Sequence, residues 1–267
     1  MYLEHWGLKK MPFDNVPSRG SFYQSPQHEE ALRRLLYAIE HRKGVAMLTG
    51  EVGCGKTTVT RALSTHLNKD QFRFQMISNP ALQPTELLKA ILLKFGDNSA
   101  ENGSKTVLLD RIQKLLCQNS DQGLLTVLAI DEAHVIKEQG TLDELRMLLN
   151  IQTEDEFLIT IVLLGQPPLL KNINELQPLK ERISIRFNLE PLDEENSLRY
   201  VVYRLKAAGA RRGIFTREAV EFIYDYSEGI PLRINNIGDR CLLVGLMQKA
   251  RIVDSKIVKD AIDDLDF

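Results

Sequence analysis

The run Gly50-Glu51-Val52-Gly53-Cys54-Gly55-Lys56-Thr57 spaces glycines ahead of a lysine and a hydroxyl. That pattern suits one task. Glycines let a backbone curl until its N–H groups point inward at a phosphate. Lys56 then adds a point charge toward the β- and γ-phosphates, and the Thr57 hydroxyl is placed to ligate Mg²⁺. Thr58 continues the run, and Cys54 fills a variable position of the loop. Further along, the apolar stretch Leu124–Ile130 ends in two carboxylates, Asp131 and Glu132. Asp131 is expected to hold Mg²⁺, mostly through water. Glu132 is expected to polarise an attacking water. Together the loop and the acids imply a chain that binds a nucleoside triphosphate, read as ATP, with Mg²⁺ and hydrolyses it.

Other polar residues follow apolar runs in the same way. Asn79 comes after Phe72–Ile77 and is expected to hydrogen-bond Glu132 and hold it off line. Gln166 comes after Phe157–Gly165 and is expected to contact the γ-phosphate or the lytic water. Arg182 and Arg186 flank the start of the strand-like Ile183–Leu189, where an arginine can reach a neighbouring subunit's nucleotide; Arg182 is the favoured one. Arg233 opens a helix in Gly229-Ile230-Pro231-Leu232-Arg233 and can couple that helix to the γ-phosphate. His134 completes an Asp-Glu-Ala-His string shared with helicases. A helicase needs a second domain of the same kind, for which 267 residues leave no room, so His134 is read as structural or a modest modulator.

Short, wholly apolar strands must alternate with helices to position these groups, which predicts a parallel sheet covered on both faces. Residues 1–24 read as irregular. Helices are predicted after Ser25-Pro26, over about 56–67, 84–95, 105–118, 141–150 and 169–180. The pattern becomes wholly helical past Glu190-Pro191. The expected organisation is a nucleotide-binding α/β domain over 1–190, with a five-stranded parallel sheet, and a helical lid over 191–267. Hydrophobic residues make up 43% and charged residues 26%, the balance of a globular chain rather than a disordered one. The net charge of −2 gives no general attraction to nucleic acid. A local stretch does: Arg199, Arg204, Lys206, Arg211, Arg212 and Arg217 occur with no acid among them, which keeps DNA open as a ligand. No apolar run approaches the ~18 residues that span a bilayer. A cytoplasmic chain is expected, recruited to the inner membrane by a partner. Three scattered cysteines fit free thiols rather than a metal site.

In this order, these elements resemble the AAA+ superfamily, and within it the ExeA/GspA family of secretion-associated ATPases. The resemblance runs through the opening 1–8, Pro12-Phe13-Asp14, Phe22-Tyr23 and His28–Leu32. It continues in Leu48–Thr58, Ile130–His134, Glu144–Asn150, Gly165-Gln166-Pro167 and Gly229–Asn235. It implies that residues 13–28 lie along the adenine, with Tyr23 lining it. It also implies that Asn79, Gln166, Arg182 and Arg233 are the glutamate switch, sensor 1, arginine finger and sensor 2. A homo-oligomeric ring or filament is implied, acting with a protein partner in a secretion, pilus or transposition apparatus. Many relatives place the sensor arginine directly after the proline, whereas here Leu232 intervenes. Secretion members continue into a transmembrane helix and a peptidoglycan-binding domain. This chain is therefore read either as the cytosolic piece of a longer protein or as a stand-alone relative. Stand-alone relatives include pilus-biogenesis ATPases and the DNA-binding regulators that accompany transposases.

Overall fold

The computed structural model describes residues 2–15, 22–98 and 103–264. Its contacts divide the chain into two compact units. One, the sheet unit, holds 28–51 and 59–189; the other, the helical unit, holds the described residues of 1–27 together with 52–58 and 190–267. The N-terminal segment, assigned by sequence to the α/β side, thus groups with the helices.

Five strands form the sheet: β1 (Val45–Gly50), β2 (Phe72–Ile77), β3 (Leu125–Ile130), β4 (Ile159–Gly165) and β5 (Ile183–Leu189). Their order is β2-β3-β4-β1-β5, and every neighbouring pair is parallel. β1 and β4 are buried at every position, as their unbroken apolar sequences require. β2 and β5 are partly exposed because each has a neighbour on one side only. Helix α2 (Pro26–Glu40) precedes β1, and α3 (Lys56–His66), α4 (Pro84–Lys94), α5 (Lys105–Asp121) and α6 (Gln139–Leu148) lie between successive strands. The helix expected over 169–180 is broken into α7 (Pro168–Asn174) and α8 (Gln177–Lys180), each with a proline in its first turn. Leu88, Ile91, Leu128, Leu145, Leu148, Ile161 and Leu163 belong to one continuous core. Each such burial is worth about 1.5–3 kcal/mol relative to exposure.

Because all strands are parallel, their carboxyl ends lie on one edge. Thr49 pairs with Gly165, Ile130 with Leu163, Ile77 with Ile130, and Gly50 with Leu189. Open parallel sheets bind ligands outside that edge.

The helical unit contains α1 (Tyr2–Trp6), α9 (Glu194–Ala207), α10 (Arg217–Ser227), α11 (Pro231–Met247) and α12 (Ser255–Asp263). Asp193, Thr216 and Asp254 cap α9, α10 and α12 by accepting from the N–H groups of Asn196, Ala219 and Ile257. The first residues are not irregular throughout, as the sequence suggested: α1 forms because Trp6 finds a hydrophobic site. Its Nε1 donates to Leu242 O at 2.9 Å, and a side chain on Gly245 would meet its ring at 2.7 Å. A side chain on Gly238 would meet Phe13 at 2.9 Å. Two helix glycines, each costing about 1 kcal/mol relative to alanine, thus admit the N-terminal aromatics. Residue 1 and residues 16–21 of that segment lie outside the described residues, as do 99–102.

Trp6 is the only tryptophan and is 2% exposed, so its emission reports this unit. Trp6→Ala is expected to cost about 3–5 kcal/mol, a large share of a typical stability of about 5–15 kcal/mol. Denaturant unfolding followed by circular dichroism checks this. A midpoint equal to wild type would show that α1 does not support the unit.

Candidate functional site

The glycine-rich loop leaves β1 at the carboxyl edge of the sheet and enters α3. Its glycines answer three separate constraints. Gly50 has no room for a side chain: a Cβ would sit 2.5 Å from Leu189 O on β5. Gly55 has φ +100°, a conformation that a Cβ disfavours. Gly53 has φ +87°, and a Cβ there would lie 2.5 Å from Leu232 Cβ. Between them Cys54 is fully buried and Lys56 is 6% exposed, which anchors the loop. Glu51 and Val52 are exposed, whereas Thr57 and Thr58 are half-buried.

The contact with Gly53 comes from the start of α11, where Leu232 N donates to Gly53 O at 3.3 Å. This accounts for the extra residue between Pro231 and Arg233: Leu232 takes the loop contact. Arg233, one position on, is exposed and pairs with Glu228 at 2.6 Å. A surface pair of that kind contributes roughly 0–1 kcal/mol, so a phosphate could displace it. Gly229 sets the approach of α11. Its φ is +72°, and a Cβ would come within 1.9 Å of Leu192 O.

Asp131 and Glu132 follow β3 at the same edge as Gly50. Asp131 is buried, and its Oδ1 accepts from Glu132 N at 3.0 Å. Glu132 is left-handed, with φ 53° and ψ 34°, and it opens the 3-10 turn Ala133–Val135. Its Oε2 lies 3.3 Å from His134 Nδ1. Glu132 thus faces His134 here, not the expected Asn79. Asn79 Oδ1 instead accepts from Ala81 N at 3.4 Å, the local turn that an asparagine two residues upstream favours. Gln166 follows β4, and its N–H donates to His134 Nδ1 at 3.4 Å.

Among the described residues, no group of three or more His, Cys, Asp or Glu could hold a metal. Taken separately, the Thr57 hydroxyl of the helical unit and the Asp131 carboxylate of the sheet unit are oxygen donors. Both are hard donors, and Mg²⁺ commonly binds through one or two carboxylates plus phosphates, so the chemistry of each residue suits that ion.

Arg182 is half-buried. Its Nη2 donates to Asn150 Oδ1 at 2.7 Å, and its Nη1 is buried with no partner among the described residues. Arg186 is exposed and donates to Lys180 O. Tyr23 sits in the helical unit: its hydroxyl donates to Asn196 Oδ1, its ring meets Tyr200 and Tyr203, and burial raises its pKa.

The basic stretch divides. Arg204 is buried and donates to Pro12 O and Asp14 O, so it is packing rather than surface charge. Arg199 and Arg217 pair with Glu195 and Glu221. Lys206, Arg211 and Arg212 remain exposed. Sequence could not separate these roles, because helix periodicity does not say which face another segment will cover.

The cysteines are expected to differ sharply in reactivity. Burial pushes the Cys241 thiol up to about 12, and Cys54 is fully buried, whereas Cys117 is exposed. A thiolate is the reactive form. A maleimide at neutral pH should therefore label Cys117 and spare Cys241 in the native protein. Equal labelling, read by peptide mass spectrometry, would contradict that burial.

A family model described as an AAA domain matches residues 39–173. The chain belongs to this AAA domain family. The matched region carries the glycine-rich loop, the Asp131-Glu132 pair and Gln166. The chain is also 37% identical over 246 residues to General secretion pathway protein A of Aeromonas hydrophila, covering 91% of this chain and 44% of that protein. A second relative is an uncharacterised HTH-type transcriptional regulator of Methanocaldococcus jannaschii, 27% identical over 179 residues, covering 65% of this chain and 43% of that protein. The chain thus spans less than half the length of these relatives. Among solved structures, the ORC2 protein of Aeropyrum pernix, in ADPNP and ADP complexes, is similar with a TM-score of 0.73 at 16% identity. It covers 96% of this chain and 71% of that one, a likeness of fold. The expected likeness to general secretion pathway protein A and the expected fold class, a five-stranded parallel sheet with helices and further C-terminal helices, are both present. Among the described residues no helix is long and apolar enough to cross a membrane.

Proposed function

We propose that the chain binds ATP with Mg²⁺ on residues 50–58, hydrolyses it, and uses the cycle to drive assembly of a partner complex of the secretion or pilus type. One observation carries the reading: the glycine-rich loop and the two acids leave neighbouring parts of one parallel sheet at its carboxyl edge. The likeness to a secretion protein supports the client class.

In this reading the domain boundary lies near residue 190, with a nucleotide-binding part before it and a lid over 191–267. Loop amides and Lys56 hold the phosphates, and Thr57 and Asp131 hold Mg²⁺. When bound, Mg²⁺ would neutralise charge on the β- and γ-oxygens. Glu132 orients and polarises the attacking water. Gln166 contacts the γ-phosphate or that water, and Asn79 biases Glu132 from the next strand. Arg233 exchanges Glu228 for the γ-phosphate. Arg182 leaves Asn150 to act in trans within a ring or filament. Tyr23 lines the adenine. A partner, rather than a helix of the described residues, brings the chain to a membrane.

A second reading is an ATP-dependent DNA-binding regulator of a transposase. Exposed Lys206, Arg211 and Arg212 favour it, as does the likeness to a transcriptional regulator. Steady-state ATPase assay tests the first reading; no Mg²⁺-dependent phosphate release from the pure oligomer would defeat it. Duplex-DNA titration with and without ATP at two salt concentrations separates the two. Binding that needs ATP and weakens with salt favours the regulator.

A further inference from the structure

His134 lies where three segments of the sheet edge meet. The turn Ala133–Val135 packs on the end of β4, and Gly165 permits the approach: a Cβ there would lie 3.2 Å from His134 N and 2.9 Å from Leu169 Cδ2. The backbone of His134 is held as well, since its O accepts from Asn172 Nδ2 at 3.4 Å. The imidazole is therefore fixed in place, and its side chain is 14% exposed.

One ring nitrogen faces two partners. Nδ1 lies 3.3 Å from Glu132 Oε2 and 3.4 Å from Gln166 N. It can donate to the carboxylate only when it carries hydrogen, and it can accept from the Gln166 N–H only when it does not. The two bonds therefore exclude each other. Glu132 meanwhile holds a left-handed backbone, which is strained for a non-glycine residue and persists only where surroundings impose it.

We propose that His134 is a positioning residue that restrains Glu132. With hydrogen on Nδ1, the ring retains the carboxylate. With hydrogen on Nε2, Nδ1 takes the Gln166 N–H and Glu132 is released toward the water. The state of the β4 end, where Gln166 sits, thereby sets the freedom of the carboxylate on β3. This inference rests on the reading of Glu132 as the water-polarising group.

His134→Ala removes the restraint. His134→Asn restores a donor and an acceptor near the position of Nδ1. ATP affinity, from titration with a fluorescent analogue, should stay within about twofold of wild type in both variants, while kcat at saturating ATP rises at least about threefold in His134→Ala and returns to within about twofold in His134→Asn. A His134→Ala kcat equal to or below wild type would overturn the proposal, as would an Asn variant that behaves like Ala. A second readout needs no His134 variant: the nitrogen NMR shift of Nδ1 should change in Glu132→Gln, and an unchanged shift also overturns the proposal. Full turnover by Glu132→Gln would instead remove the catalytic reading of Glu132, while the Nδ1 shift would still report the contact.

Discussion

Glu132→Gln is expected to lower kcat for ATP by about 10²–10⁴, the range removed with a positioned general base, while ATP remains bound. The amide keeps the size and much of the hydrogen bonding of the carboxylate but cannot take a proton or carry the charge that polarises water. The Glu132 side chain is 42% exposed and faces His134. Its loss should therefore appear in kcat rather than in the Kd for ATP. Single-turnover and steady-state assays at saturating ATP, beside a nucleotide titration, separate the two. Turnover within a few-fold of wild type would show that another group polarises the water.

Lys56→Ala should act on binding as well as turnover. Lys56 is the first residue of α3 and is 6% exposed, so its ammonium is held rather than swinging in solvent. A hydrogen bond to a charged group is worth about 1.5–3 kcal/mol, and each 1.4 kcal/mol is tenfold in affinity. The Kd for ATP is expected to rise by about 10- to 100-fold on that basis, with turnover lost in parallel. Calorimetric titration with ATP and Mg²⁺ measures it, and circular dichroism confirms that α3 is intact. An unchanged Kd would mean that the nucleotide is not seated on this loop.

Much of this molecule was legible in its sequence because the informative constraints are local. An apolar run as short as Leu124–Ile130, bounded by Gly123 and two acids, suits a strand buried on both faces better than a helix, so the parallel sheet followed from composition and length. Gly53 and Gly55 mark positions whose φ a side chain disfavours, so the loop was legible from residue type and spacing. The acids at the end of β3 were legible for the same reason: strand length places residue 131 at the edge.

What only the tertiary structure decided depends on partners distant in the chain. Trp6 and Phe13 lie against Gly245 and Gly238, so a segment that looked irregular contains α1 and packs on α11. Arg204 looks like surface charge by spacing, but its guanidinium satisfies Pro12 O and Asp14 O in the interior. Leu232 touches Gly53, which leaves Arg233 to pair with Glu228. Glu132 meets His134 instead of Asn79 because the turn after β3 bends the carboxylate back on its own segment, within reach of the β4 end. Periodicity and spacing report which residues share a strand or a helix face. Which distant groups those faces meet is set by packing free energy summed over the whole core, and no short window of sequence contains that sum.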